Sequence, residues 1–431
     1  MFASQPEGDS ATRRTRVRRS VAPLAVSLLA ALLLVAAGSV LGATPAYAAT
    51  VIDGRYTFET DPGTLTATIT AYDAIGGTGV EVIPSSVMDG PDTYTVTAIA
   101  QDAFNNKGLT GVTLPATLIS VGESAFAFNS LTSLVIPDSV TSLGNWAFSK
   151  NDLVGVTLSN SLTSISNGAF AENELASLTL PAGVTSIGDN AFFFNQLPSV
   201  TLPAGLTHIG HHAFDGNLLT SVVIPDAVTF IGAYAFDFNA ITSLTLGSSV
   251  VTIDTRAFIN NHLTSLVIPD SVTTIESGAF WNNPLTSLTL GSSVATIGTN
   301  AFTGSQLTTV TLPASVTSVG NQAFAFSPTL TSVRFDGPAP SAFTPRSSGN
   351  GSLGDQDVEV LYLGINAAGF TPSPWQGYRS TMVPGSEVPG SGSTGGGLAD
   401  TGVEPLPLAL LGGVLLLAGA FVRAQRSPTP H

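Results

Sequence analysis

An Ala-Phe pair returns every 22 residues from Ala103-Phe104 to Ala323-Phe324, eleven pairs without a slip. Three residues after the Phe stands Asn, as Asn129, Asn151, Asn173, Asn195, Asn217, Asn239, Asn261 and Asn283, and five after it stands Leu or Ile, as in Leu131, Leu153 and Ile241. A fixed period of this length implies a solenoid, because one unit cannot bury its apolar side until a neighbour stacks on it.

The unit running from Ala125 to Trp146 shows the logic. Leu134 and Ile136 lie two apart and so share one side of an extended strand, with Ser133 and Val135 facing away. Pro137 ends that strand, since it offers no N–H to a ladder, and Pro recurs there as Pro115, Pro181, Pro203, Pro225, Pro269 and Pro313. Val140 and Leu143 form a second apolar pair ahead of Gly144, whose counterparts are Gly188, Gly210 and Gly232; glycine there is expected to supply unusual backbone angles. Stacked Phe rings are expected to form a hydrophobic spine. The Asn column is expected to satisfy backbone groups of buried turns, which are costly to leave unpaired.

The unit L-T-S-L-x-I-P-x-S-V-T-S-I-G-x-x-A-F-x-x-N resembles the BspA-like leucine-rich repeats of bacterial surface proteins, over about Val80 to Phe335. The resemblance implies a curved leucine-rich repeat solenoid with short parallel strands on one face, used for adhesion and binding rather than catalysis. Eleven coils at ~4.8 Å give a rod of roughly 50 Å. The fold expected is thus a β-rich solenoid of eleven 22-residue repeats over 96–336, capped at 49–95 and 337–383. Tyr56-Thr57-Phe58 and Leu65 to Thr70 alternate as cap strands around Asp61-Pro62-Gly63. In the second cap, 337–354 reads as a loop, 358–363 as a strand, and Trp375 as the residue that seals the last coil.

The ends of the chain speak of targeting. Five Arg lie between residues 13 and 19, an apolar run spans 21–41, and Ala46-Tyr47-Ala48 follows, the three parts of a secretory signal cut after Ala48; an uncleaved anchor is the alternative. Residues 384–397 are mostly Gly, Ser and Pro and read as a flexible linker. Then come Leu398, Ala399, Asp400, Thr401 and Gly402, an apolar run over 406–422, and Arg423 with Arg426. This tail resembles a sortase cell-wall sorting signal of the LAxTG form found in actinobacteria. It implies sortase as a partner, cleavage between Thr401 and Gly402, and attachment to peptidoglycan at the surface of a Gram-positive cell. The 406–422 run would hold the membrane before processing, with the two Arg inside; a plain membrane-anchored tail is the alternative.

Between residues 49 and 401 there are seven Lys/Arg against 26 Asp/Glu, a net of −19. That charge disfavours nucleic acid and anionic membranes, which demand basic patches. The absence of Cys removes disulfides and thiol chemistry.

A catalytic site should break the repeat, and the exceptions are few. His208, His211 and His212 invite a metal reading, but they sit in a variable turn. Asp355, Asp357 and Glu359 have the oxygens for Ca²⁺ without an EF-hand spacing. Gly76-Gly77-Thr78-Gly79 lacks the context of a phosphate loop and reads as a turn. Trp146 and Trp281 read as packing residues. No catalytic residue and no cofactor emerges, and the chain does not read as an enzyme. What remains is the strand face as a candidate binding surface: Ser133, Val135, Ser177, Thr179, Ser199, Thr201, Ser243, Thr245, Ser287 and Thr289. Small and β-branched residues also suit strands as such. The function expected is adhesion to a surface protein or glycan, with a wall-coat spacer lacking a specific ligand as the alternative and ice binding by the Thr rows as a third.

Overall fold

A computed structural model describes residues 48–74 and 79–384. The signal segment before Ala48, the Gly76-Gly77-Thr78 turn, the linker beyond Pro384, the sorting signal and the 406–422 run lie outside them. Among the described residues no helix is long and apolar enough to cross a membrane. They form a parallel-strand β-solenoid of about 13 turns with a 22-residue period.

Strands of the L-T-S-L-x-I segment are mostly three residues long, as at Ser133–Val135 and Gly155–Thr157, which pair with each other 22 residues apart. This ladder is interrupted. It consists of separate two-stranded pairs and, from Thr309–Leu312 onward, one four-stranded sheet. Residues 177–179 and 199–201 form no strand, and Ser177 keeps only an isolated bridge to Gly155. A second ladder, which the sequence reading lacked, runs unbroken through nine strands from Ser164–Ile165 to Ala342–Phe343. Its members are two residues long, as at Ser186–Ile187 and Thr252–Ile253. Two residues are too few for the alternation that marks a strand in sequence.

The Phe spine fills the interior. From Phe104 to Phe324 consecutive rings stack at 4.8–5.8 Å, their planes within 14° of parallel. Every one of these rings is fully buried. The Asn column binds coil to coil. In all eight cases Oδ1 accepts the Leu or Ile N–H of the preceding coil at 3.0–3.1 Å. Nδ2 donates to the Phe carbonyl of that same coil at 2.8–3.0 Å. The amide thus pairs a donor and an acceptor that stacking alone leaves dry.

The glycine expectation is corrected. Gly144, Gly188, Gly210 and Gly232 do not have positive φ. Their role is close approach: a Cβ would stand 2.2 Å from Glu123 N at Gly144, and 2.5 Å from the Gly188 carbonyl carbon at Gly210. The left-handed backbone sits instead in two columns flanking Ala-Phe. One precedes Ala and includes Trp146 (φ 59°), His212 (φ 54°), Tyr234 (φ 58°) and Arg256 (φ 55°); the other lies two after Phe and includes Phe128 (φ 57°), Phe194 (φ 50°) and Phe238 (φ 47°). Bulky residues rarely adopt this conformation. It is imposed by neighbours: the N–H of Trp146 donates to Asn167 O at 2.8 Å and that of Phe128 to Ser149 O at 3.0 Å, each a carbonyl of the following coil.

The first cap closes the spine with tyrosines, Tyr72 stacking on Phe104 at 4.9 Å. Val80–Val82 pairs with Gly111–Thr113 as a first coil strand, and residues 86–99 add the hairpin Ser86–Asp89 with Asp92–Ile99. In that first coil strand Glu81 takes the inward position and is buried. Arg55 reaches it at 2.9 Å, Tyr72 donates to it at 2.7 Å, and Tyr56 donates to its other oxygen. Burial and the Glu81 charge push Tyr72 up to about 12 and raise Tyr56 as well, so both stay protonated donors. At the other end Trp375 is buried against Phe335, Phe343 and Phe370.

Candidate functional site

The ten side chains of the candidate strand face are all solvent-exposed. Val135, joined by Val223 and Val267, leaves nearly two-thirds of its surface to water. Inward neighbours hold the face in place, as Leu134 does between Ser133 and Val135. Where ladder pairing lapses the coils part into grooves. One of about 430 Å³ lies between coils at Thr157 and Thr179, walled by Val156, Leu180, Pro181 and Asn160. Another of about 320 Å³ lies between Thr289 and Thr311 beside Asp336. Thr hydroxyls line the rim of each.

A second exposed feature escaped the sequence reading. Phe128, Phe194, Phe238 and Phe326 stand in one left-handed column along the turn edge, each more than half exposed. Lys150 lies over the Phe128 ring at 4.8 Å. The signal was present in the sequence as a Phe two after the spine Phe, just before Asn in three coils and before Ser327 in the fourth, but there it looks like part of the A-F-x-F apolar pattern.

The three histidines do not converge. His208 stacks on Phe230 at 4.9 Å, while His211 Nδ1 accepts the Ala233 N–H at 2.8 Å. His212 Nδ1 lies 2.8 Å from Asp215 Oδ2. Among the described residues no group of three or more His, Cys, Asp or Glu could hold a metal ion. Two of the three acids considered for Ca²⁺ are already engaged: Asp357 with Arg379 at 3.3 Å and Arg346 at 3.7 Å, and Glu359 as acceptor of the Thr381 hydroxyl at 2.6 Å. Trp146 covers Gly168, and Trp281 carries the Arg256 guanidinium at 5.7 Å.

The model of the BspA type leucine-rich repeat region, in six copies, matches residues 97–218 and 207–331, more than half of the chain. No curated protein matches it. Among solved structures the chain is similar to a leucine rich cell surface protein from Faecalibacterium prausnitzii A2-165, at 28% identity, with 74% of this chain and 96% of that one covered and a TM-score of 0.48. It is also similar to a leucine-rich repeat protein from Bacteroides ovatus ATCC 8483 (18% identity, 77% and 99% covered, TM-score 0.46). A third similar structure is the pneumococcal vaccine antigen PcpA (16% identity, 79% and 100% covered, TM-score 0.47). On its register of eleven coils and the family match that spans them, the chain belongs to the BspA type leucine-rich repeat family.

Proposed function

We propose that this protein is a binding or adhesion protein of a Gram-positive cell surface, exported by its first 48 residues and joined to peptidoglycan by sortase through Thr401. The observation that carries the reading is the conjunction of a rigid repeat scaffold with a tripartite tail, Leu398 to Gly402, the 406–422 run and Arg423 with Arg426. Sortases attack the Thr carbonyl with a Cys thiolate, so the pentapeptide must be extended and accessible. The Gly395-Gly396-Gly397 run supports that access. The ligand is a surface protein or a glycan, and the exposed strand face with its grooves is the surface offered to it. A wall-coat spacer is the second reading, favoured by the absence of aromatic anchors on that face.

The test is mass spectrometry of muramidase-released wall fragments. Thr401 should be joined to a peptidoglycan amine, and Thr401→Ala should move the protein to the membrane or the medium. An intact peptide through Gly402 and Val403 recovered from the wall overturns the anchoring. Deleting residues 99–336 separates the two roles: surface binding that survives the deletion favours the spacer.

A further inference from the structure

In the middle of the solenoid one column of coil-to-coil bonds is broken at a single point. In the left-handed column from Asn106 to Gly304, the backbone N–H of every coil but one donates to a carbonyl of the following coil. The exception is Phe238, whose N–H donates instead to the Asp237 carboxylate at 2.7 Å. Asp237 is buried, and so is Asp215, the residue one coil earlier in the same column. Other coils place Ala127, Ala171 or Ile259 there. Asp215 has one oxygen beside His212 and the other, Oδ1, buried with no hydrogen-bond partner. Two like charges thus stand one coil apart in the interior, and one of them holds open an inter-coil bond.

We propose that Asp215 and Asp237 form a proton-operated latch, in which mild acidification protonates Asp237, releases the Phe238 N–H to the Ile259 carbonyl and closes the solenoid at that coil. The proton comes from solvent and forms an O–H on the carboxyl, and no other bond changes. A neutral carboxyl is a weaker acceptor than a carboxylate, so the N–H returns to the partner its column prefers. The groups facing the pair agree. His212 adjoins Asp215 and stacks on Tyr234 at 4.7 Å, Asn260 of the following coil donates to Asp237 at 3.1 Å, and the preceding coil packs Phe193 edge-on against His212. Further along the same turns are Asp189, which accepts the His211 N–H, the His211–Asp254 pair at 3.9 Å, and Arg256, whose guanidinium lies on the Tyr234 ring.

Burial, and after it the neighbouring Asp215 charge, lift Asp237 to about 6, while burial also raises Asp215 despite His212. A carboxyl raised in the folded state contributes stability that is complete below its ordinary value near 3.8 and is lost as pH rises through the folded value. Closure therefore strengthens from pH 7.5 to 5, a window in which paired surface carboxylates change little.

The experiment is hydrogen exchange of the full chain in detergent, corrected for the intrinsic rate at each pH. Protection of the Phe238 amide should rise about tenfold between pH 7.5 and 5, with Phe128 and Lys150 amides as flat controls. Asp237→Ala, a residue this column already accepts, should show the closed protection at both pH values. His212→Gln should keep the response. A flat wild-type profile overturns the latch, as does a response that persists in Asp237→Ala or vanishes in His212→Gln. Closure by millimolar CaCl₂ at pH 7.5 overturns it too, by making the pair a cation site.

Discussion

Asn239 and Phe238 are adjacent in the chain and belong to two columns that obey opposite rules. The Asn column holds one residue type through eight coils, whereas its neighbour holds Phe, Lys, Glu, Phe, Gly, Phe, Asn and Asn over the same coils. The difference lies in which atoms the fold uses. In the Asn column the side chain closes the bonds between coils, so its chemistry is fixed. In the neighbouring column the fold uses only the backbone N–H and the left-handed φ, so the side chain is left free. Uniform columns here report structure, and a column whose backbone is fixed while its side chains vary is where a surface can acquire function.

The largest effect should come from breaking the uniform column. Asn217→Ala strips the partners from the Leu197 N–H and the Phe192 carbonyl, while the Phe214 carbonyl keeps Asn239 as a donor. At 1–3 kcal/mol for each buried orphan, the loss should be about 4 kcal/mol in denaturant unfolding. Ser305→Ala, at the equivalent position, removes only a Ser305–Ser327 contact and should cost about 1 kcal/mol. The Leu285 N–H of the preceding coil already turns to the Asn283 carbonyl at 2.8 Å. Equal losses at the two sites would mean that the amide's bonds between coils are not what fixes this column.

A smaller loss should follow from Gly168→Ala in the left-handed column that precedes Ala. The new Cβ would lie 2.1 Å from Trp146 Cε3, at φ +61°. Displacing the indole and holding Ala left-handed together should cost about 2 kcal/mol. A Trp146→Ala, Gly168→Ala double variant should recover the steric part, since the two residues are in contact. Additive losses in that cycle would place the cost elsewhere.

Much of this was legible in the sequence, and what was not has a common cause. Period, spine and Asn column show in the sequence because each demands a residue type. The left-handed columns do not, because the next coil's carbonyls impose the conformation on Trp146, His212 or Phe128 alike. For the same reason Gly144 and its counterparts suggested positive φ when their true constraint is a neighbouring backbone 2.2–2.8 Å from any Cβ. The second ladder was invisible because its strands are two residues long. Glu81 hid in a strand position that later coils fill with Val112 and Leu134, and only the cap's Arg55 and Tyr72 make it tolerable there. For the candidate face, exposure followed from alternation. The grooves did not, since they arise where pairing lapses between coils of near-identical sequence.

The smallest effect should be a gain. Phe238 holds φ 47° with its ring 63% exposed, so its side chain adds little burial to set against the left-handed backbone. That conformation costs an L-residue roughly 1–2 kcal/mol, a penalty glycine escapes. Gly216 and Gly304 occupy the same column and show that the position accepts glycine. Phe238→Gly should therefore stabilise the protein by about 0.5 kcal/mol, after the extra freedom glycine brings to the unfolded chain. The readout is a small rise in denaturation midpoint with no change of slope. Phe194→Gly is the contrasting case, because the Phe194 ring packs on Gly216, a Cβ there meeting it at 3.0 Å, and this variant should be neutral or slightly destabilised. Measured beside attachment of cells bearing each variant, the pair separates two uses of the ridge. If Phe238→Gly raises stability and lowers attachment, the exposed rings are contact residues kept at the expense of the fold. If attachment is unchanged, binding belongs to the strand face.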